Sequence, residues 1–241
     1  MEHKNLNNTY YENLDQNFIN ALNFYEINYS HEQLIDMLKN GNIVQKQISA
    51  LKLETINSSE DAQALLSNLT GQDGKIREAV SLRLFEFMGN DDYIKFFEPS
   101  KNAQKFLDAV IDINGNICRN VIQAISNLKE DENFCRNFCE KLANLTLELL
   151  DVVEKFDFQD GKYKINKEAF KLYWCLETIY VFWDKMDFTK LKEILQRGSN
   201  IGEYTIREKC AKILTHNFED KDLIKIKEKL KKDSNYYVRR F

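Results

Sequence analysis

Few side chains in this sequence have both the type and the spacing that chemistry needs. Cys135 and Cys139 lie four apart, so on a helix they share a face and could both reach a metal. A zinc site needs four ligands, and no His or Cys pair of matching spacing lies nearby. The two thiols therefore read as buried neighbours of Phe134 and Phe138. The three histidines, His3, His31 and His216, enter no Ser-His-Asp or Cys-His arrangement by spacing. Gly71-Gln72-Asp73-Gly74 lacks the Lys-Ser or Lys-Thr that completes a phosphate loop. Asp91-Asp92 and Glu219-Asp220 stand near helix starts, where negative charge complements the helix dipole, and they read as caps. No cofactor or metal site follows from any of these groups.

The elements that would carry such residues are legible from the turns. Asn40-Gly41-Asn42-Ile43, Asp73-Gly74-Lys75-Ile76, Asn114-Gly115-Asn116-Ile117 and Asp160-Gly161-Lys162-Tyr163 share one phrase, and they use four of the eight glycines. After each turn the apolar positions fall three, four or eight apart, on one helical face: Ile48 and Leu51, Val80 and Leu84, Val121, Ile122 and Ile125. Gly is expected to supply the permissive backbone of the turn, and the acid or amide before it to tie back to the main chain. Glu203-Tyr204-Thr205-Ile206-Arg207 and Asn235-Tyr236-Tyr237-Val238-Arg239 continue the phrase without Gly. The markers at 40, 73, 114, 160, 203 and 235 are 33, 41, 46, 43 and 32 residues apart. Such a period means one helical hairpin per unit, stacked on its neighbours.

Upstream of each turn lies a partner helix, the first opened by the capping box Ser30-His31-Glu32-Gln33. One proline and the absence of alternating β-branched runs exclude a β-sandwich or barrel. The expected fold is all-α: a right-handed α-solenoid of about five to six stacked hairpins, with about eleven to thirteen helices. Residues 1–29 form an N-terminal capping segment, with a helix from Tyr10 to Tyr25, and residues 30–241 form the repeat array as a single domain.

The phrase Ile76-Arg77-Glu78-Ala79-Val80-Ser81-Leu82-Arg83-Leu84 resembles the second helix of a HEAT repeat. Ile206-Arg207 and Val238-Arg239 keep the pair that follows the turn. Cys118 and Val44 depart from it, and in the fourth unit the helix fits better when counted from Ile165. The resemblance implies a solenoid, and it implies that Arg77, Arg207 and Arg239 link to an acid or amide of the adjacent unit. A second, shorter likeness is carried by Phe182-Trp183-Asp184-Lys185-Met186-Asp187, which resembles a segment of the HEAT-like alkylpurine DNA glycosylases. It implies that Trp183 contacts DNA and that Asp187 stabilises positive charge developing on the sugar. The structural alternative is that Trp183 packs between the fourth and fifth units and Asp187 caps the next helix. HEAT-like bilin lyases are a third class, which no residue here specifically supports.

Charge separates these readings. Residues 1–184 carry 19 basic and 29 acidic side chains, a net of -10, and residues 185–241 carry 15 and 9, a net of +6. An acidic body argues against nucleic acid as the main ligand, because phosphate contacts need a basic groove. No apolar run approaches the ~20 residues of a membrane span. Five cysteines, spread without a tight framework, read as reduced thiols of a cytoplasmic protein.

The leading function is a non-catalytic HEAT-repeat scaffold for a protein or peptide partner on its concave surface. The alternative is a glycosylase acting on damaged DNA. Offsets two, six and nine from the first apolar residue of each second helix should line the binding surface. They give Gln45, Ser49 and Lys52; Glu78, Leu82 and Phe85; Arg119, Gln123 and Ser126; Lys167, Lys171 and Trp174; Glu208, Lys212 and Thr215. Leu82, Phe85, Arg119, Lys171 and Trp174 are the expected partner-binding residues, with Phe85 and Trp174 as exposed aromatic anchors.

Overall fold

The computed structural model describes residues 24–156, 158 and 166–241. Among them are thirteen α-helices from residue 31 onward, two short 3-10 turns, and no strand. They pair into six hairpins. The first helices are α1 (His31–Asn40), α3 (Ser59–Leu66), α6 (Ala103–Val110), α8 (Glu132–Val153), α10 (Phe188–Gly198) and α12 (Lys221–Leu230). The second helices are α2 (Ile43–Lys52), α4 (Gly74–Met88), α7 (Gly115–Ser126), α9 (Lys167–Phe182), α11 (Tyr204–Ile213) and α13 (Tyr236–Arg239). A short α5 (Asp91–Ile94) and the 3-10 turn Lys95–Phe97 connect the second and third hairpins. Each second helix packs on the second helices of its neighbours, and first helices pack on first helices except between α3 and α6, where the 3-10 turn Lys95–Phe97 packs on α3, so the chain is a two-layered helical-repeat solenoid. Most of the helix expected at Tyr10–Tyr25, and the turn at Asp160–Tyr163, lie outside the described residues.

The repeated turn is a helix N-cap. The side chain of Asp73 accepts the Lys75 N–H, that of Asn114 the Asn116 N–H, and that of Asn235 the Tyr237 N–H. Each satisfies one of the donors that a helix start leaves open. In the first unit the cap is Asn42, not Asn40. Its side chain accepts from Gln45 while the Gln45 side chain accepts the Asn42 N–H, a capping box. Glycine serves differently from expectation, since the only positive-φ glycine among the described residues is Gly71. Gly41 is needed for space, because a Cβ there would stand 2.5 Å from the Met37 carbonyl oxygen and 2.8 Å from Gln45 Cβ.

One apolar core runs through the array from Leu34 to Val238. Each fully buried Leu, Ile or Phe contributes ~1.5–3 kcal/mol by leaving water. A cluster of four phenylalanines joins the third and fourth hairpins. Phe134 and Phe138, one helical turn apart on α8, stack at 5.0 Å, Phe106 from α6 meets Phe134 at 6.2 Å, and Phe182 from α9 meets Phe138 at 5.5 Å. Val238 is fully buried and Phe241 packs against the core, so the last residues sit within a sixth unit.

Arg77 and Arg207 act as the repeat resemblance implied, and Arg239 does not. Arg77 forms a two-pronged bond to Asp112, at 2.7 and 3.1 Å, and also donates to the Gln72 carbonyl of its own turn. Arg207 repeats the arrangement on Asp233, at 2.7 and 3.2 Å, while holding the carbonyls of Ile201 and Gly202. Asp112 and Asp233 each also accept the backbone N–H of the next cap residue, Asn114 and Asn235. These rungs fix the start of one unit to the start of the next. Arg239 keeps only the bonds to its own turn, the carbonyls of Asp233 and Ser234.

Candidate interaction surface on the second-helix layer

The solvent side of the second helices carries the expected row in the second, third and fifth units. Leu82 and Phe85 on α4 are 42% and 37% exposed. Arg119 and Gln123 on α7 are exposed, as is Thr215 just beyond α11, with Lys212 half-buried. Arg119 donates to Asn116 Oδ1 at 3.3 Å. The acids of the row are engaged. Glu78 accepts from Asn114 and Asn116 of the next unit, and Glu208 accepts from Arg240 at 2.7 Å.

The fourth unit corrects the expectation. Trp174 is 8% exposed and therefore buried, not an anchor open to a partner. Its edge lies over Gly115, where a Cβ would come within 3.1 Å of Trp174 Cζ2, and Phe170 and Tyr173 meet it edge-on. The cause is register. Cys175, Leu176, Thr178 and Ile179 are buried in the same order as Val121, Ile122, Ala124 and Ile125. Counting therefore starts at Lys171, six residues later than Ile165. Trp174 then falls between the outward positions, and Tyr173, Glu177 and Tyr180 occupy offsets two, six and nine. Lys171 sits at the edge, half-buried and paired with Glu168 at 3.2 Å. The first unit is also displaced. Ser49 is fully buried and bonds to the Gln45 carbonyl, so counting starts at Gln45 and places Gln47, Leu51 and Glu54 outward.

The corrected row exposes a cluster that the sequence reading missed. Glu177 is shared by two lysines of α11, Lys209 at 2.9 Å and Lys212 at 2.7 Å. Lys209 lies over the Tyr173 ring at 4.4 Å, and Lys212 over Tyr180 at 4.2 Å. Burial pushes the Glu177 carboxyl up, but the hydrogen bonds from Lys209 and Lys212 outweigh it, and the group is held below its ordinary range. Burial likewise works against the Lys209 charge, and its bonds to Glu177 and Tyr173 outweigh that, so its amine is raised. The signal available in the sequence was the cysteine shared by Lys171-Leu172-Tyr173-Trp174-Cys175 and Ile206-Arg207-Glu208-Lys209-Cys210, which aligns the two helices.

Trp183 and Asp187 take their structural roles. Trp183 is half-buried between the fourth and fifth units, stacked on His216 at 4.6 Å and met edge-on by Phe218 at 5.2 Å. It stands in the 3-10 turn Trp183–Lys185, which directly follows α9. Asp187 caps α10, accepting the Lys190 N–H at 2.9 Å. His216 Nε2 donates to the Tyr180 carbonyl at 3.2 Å, and burial lowers its pKa, favouring the neutral ring. The nearby charges are already paired, Lys129 with Asp184 and Lys185 with Glu130. The cysteines are buried thiols. Cys135 donates to the carbonyls of Leu128 and Lys129, and burial pushes Cys139 up to about 12, far from a reactive thiolate.

No family model matches the chain. No curated protein matches it either. Among solved structures it is similar to an engineered protein, at 13% identity over 88% of this chain and 93% of that one, with a TM-score of 0.46. It is also similar to a designed armadillo repeat protein, at 16% identity over 88% of this chain and 96% of that one, with a TM-score of 0.43. The helical-repeat class rests on the chain's own stacked hairpins and arginine rungs. No helix of the described residues is long and apolar enough to cross a membrane.

Proposed function

We propose that this chain is a non-catalytic repeat scaffold that binds a segment of a partner protein along the solvent side of its second-helix layer. The observation that carries the reading is the pair Leu82 and Phe85, exposed one turn apart on the solvent side of α4. Half-buried Leu51, on the neighbouring α2, occupies the matching outward position and extends the apolar stretch. Apolar groups so placed are typical of the few residues that carry binding energy at an interface. Five buried free thiols support a reducing compartment such as the cytoplasm.

The test compares affinity purification with the full chain and with its Leu82→Ser/Phe85→Ala form. A protein recovered in near-stoichiometric amount with the first and lost with the second, while the melting temperature stays the same, is the expected outcome. Equal recovery with both chains would remove the basis for this surface.

A further inference from the structure

The charges along the same row are distributed unevenly. In the first two units the outward positions hold the apolar Leu51, Leu82 and Phe85, with Glu54 exposed and Glu78 satisfied by two asparagines. From the third unit onward the balance reverses. Arg119 is exposed and forms no ion pair among the described residues. Lys209 and Lys212 share the single carboxylate of Glu177, which leaves one positive charge in excess between two tyrosines. Glu208 is neutralised by Arg240. The face is thus apolar at one end and cationic with aromatic flanks from its middle, on a body whose net charge is negative.

Resting on the scaffold reading above, we propose that the partner segment is acidic: its apolar side chains lie on Leu82 and Phe85, and its carboxylates face Arg119 and Lys212, the more exposed of the two lysines on Glu177. The negative body contributes to this choice. Residues 1–184 are net negative and repel such a segment, while the lysines of α12 lie on the first-helix layer, so within the second-helix layer the cationic half selects where it can lie. A basic segment would meet unpaired Arg119 and the excess lysine charge, and like charges oppose it there.

Fluorescence anisotropy with the full chain tests this, using three labelled peptides that share a leucine pair. In the first the pair is followed by a run of glutamates, in the second by glutamines, and in the third by lysines. Each exposed charge pair is worth a roughly 1.5- to 5-fold change in affinity, so several together give the glutamate peptide an advantage of about ten-fold over the glutamine peptide at low salt. Added salt should shrink that advantage. Arg119→Glu should cut it several-fold and leave the glutamine peptide unchanged, whereas Phe85→Ala should weaken both peptides alike. Equal affinity for glutamate and glutamine peptides, tighter binding of the lysine peptide, tighter binding of a single-stranded DNA oligonucleotide, or no binding of the glutamate peptide would each overturn the inference. A glutamine peptide that binds equally well, and is lost on Phe85→Ala, would overturn the acidic partner while leaving the scaffold reading in place.

Discussion

The joint between the second and third units and the joint between the third and fourth are built differently. In the first, the repeated phrase is intact on both sides. Arg77 grips Asp112, Glu78 receives the amides of Asn114 and Asn116, and Asn120 donates to Ser81. In the second, the turn itself lies outside the described residues, Cys118 stands where Arg77 stands, and no arginine rung joins α7 to α9 among the described residues. There Trp174 fills the space over Gly115, and four phenylalanines from α6, α8 and α9 close the gap. Polar rungs have direction and fix alignment, so units joined by them keep a common register. Apolar packing tolerates displacement as long as volume is filled. The register departs from the expected count in the fourth unit, across a joint without such a rung among the described residues, and holds again in the fifth, which Arg207 ties to Asp233 of the sixth.

If apolar packing holds the improvised joint, truncating its centre should have the largest effect in the molecule. Phe138 is fully buried and touches rings from α8 and α9. Phe138→Ala should cost ~3–5 kcal/mol, read as a lowered midpoint in urea unfolding. A loss under ~1 kcal/mol would mean that the ring cluster does not hold this joint.

The rungs should come next. Removing the guanidinium of Arg77 or Arg207 leaves a largely buried aspartate without its charged partner, at a cost of ~1.5–3 kcal/mol. Lysine should rescue poorly, because it cannot make the two-pronged bond. The regular joint also carries a pH signature. The hydrogen bond from Arg207 holds the Asp233 carboxyl below its ordinary value of 3.8. A group depressed on folding stabilises the fold above its unfolded value, and that contribution fades as pH falls through the folded one. Stability should therefore drop below about pH 4, and Arg207→Ala should flatten that acid limb. A limb unchanged in the variant would assign acid sensitivity to other carboxylates.

How much could be read beforehand follows the same division. The hairpin period, the caps and the roles of Arg77 and Arg207 were legible because each rests on local, directional chemistry repeated in the sequence. The outward positions Leu82, Phe85 and Arg119 were legible for the same reason, since they lie in units whose start is marked by Asp73 and Asn114. Trp174 was misplaced because apolar packing leaves no spacing signal of its own. A helix capped by Asn166 and lengthened by about a turn presents the same residue types in a different rotation. The Glu177–Lys209–Lys212 cluster was hidden for that reason too, because its members become neighbours only after the register is corrected.

The smallest effect separates the two joints by sign. Gly74 and Gly115 occupy the same place, the first residue of a second helix behind an Asp or Asn cap. At Gly74 an added Cβ would meet nothing within 4 Å, so Gly74→Ala should stabilise by ~0.4–1 kcal/mol, chiefly by restricting the unfolded chain. At Gly115 the same methyl would stand 3.1 Å from Trp174 Cζ2, on a ring held by Phe170 and Tyr173, so the crowding should outweigh the gain and destabilise by roughly 0.5–1 kcal/mol. Replacing Trp174 by Phe removes the ring that carries Cζ2. In that background Gly115→Ala should change sign and match Gly74→Ala, giving a coupling energy of about 1–2 kcal/mol in a double-mutant cycle. Equal stabilisation at both glycines in the native background would show that Trp174 does not occupy the space over Gly115, and the explanation of the slipped register would fall with it.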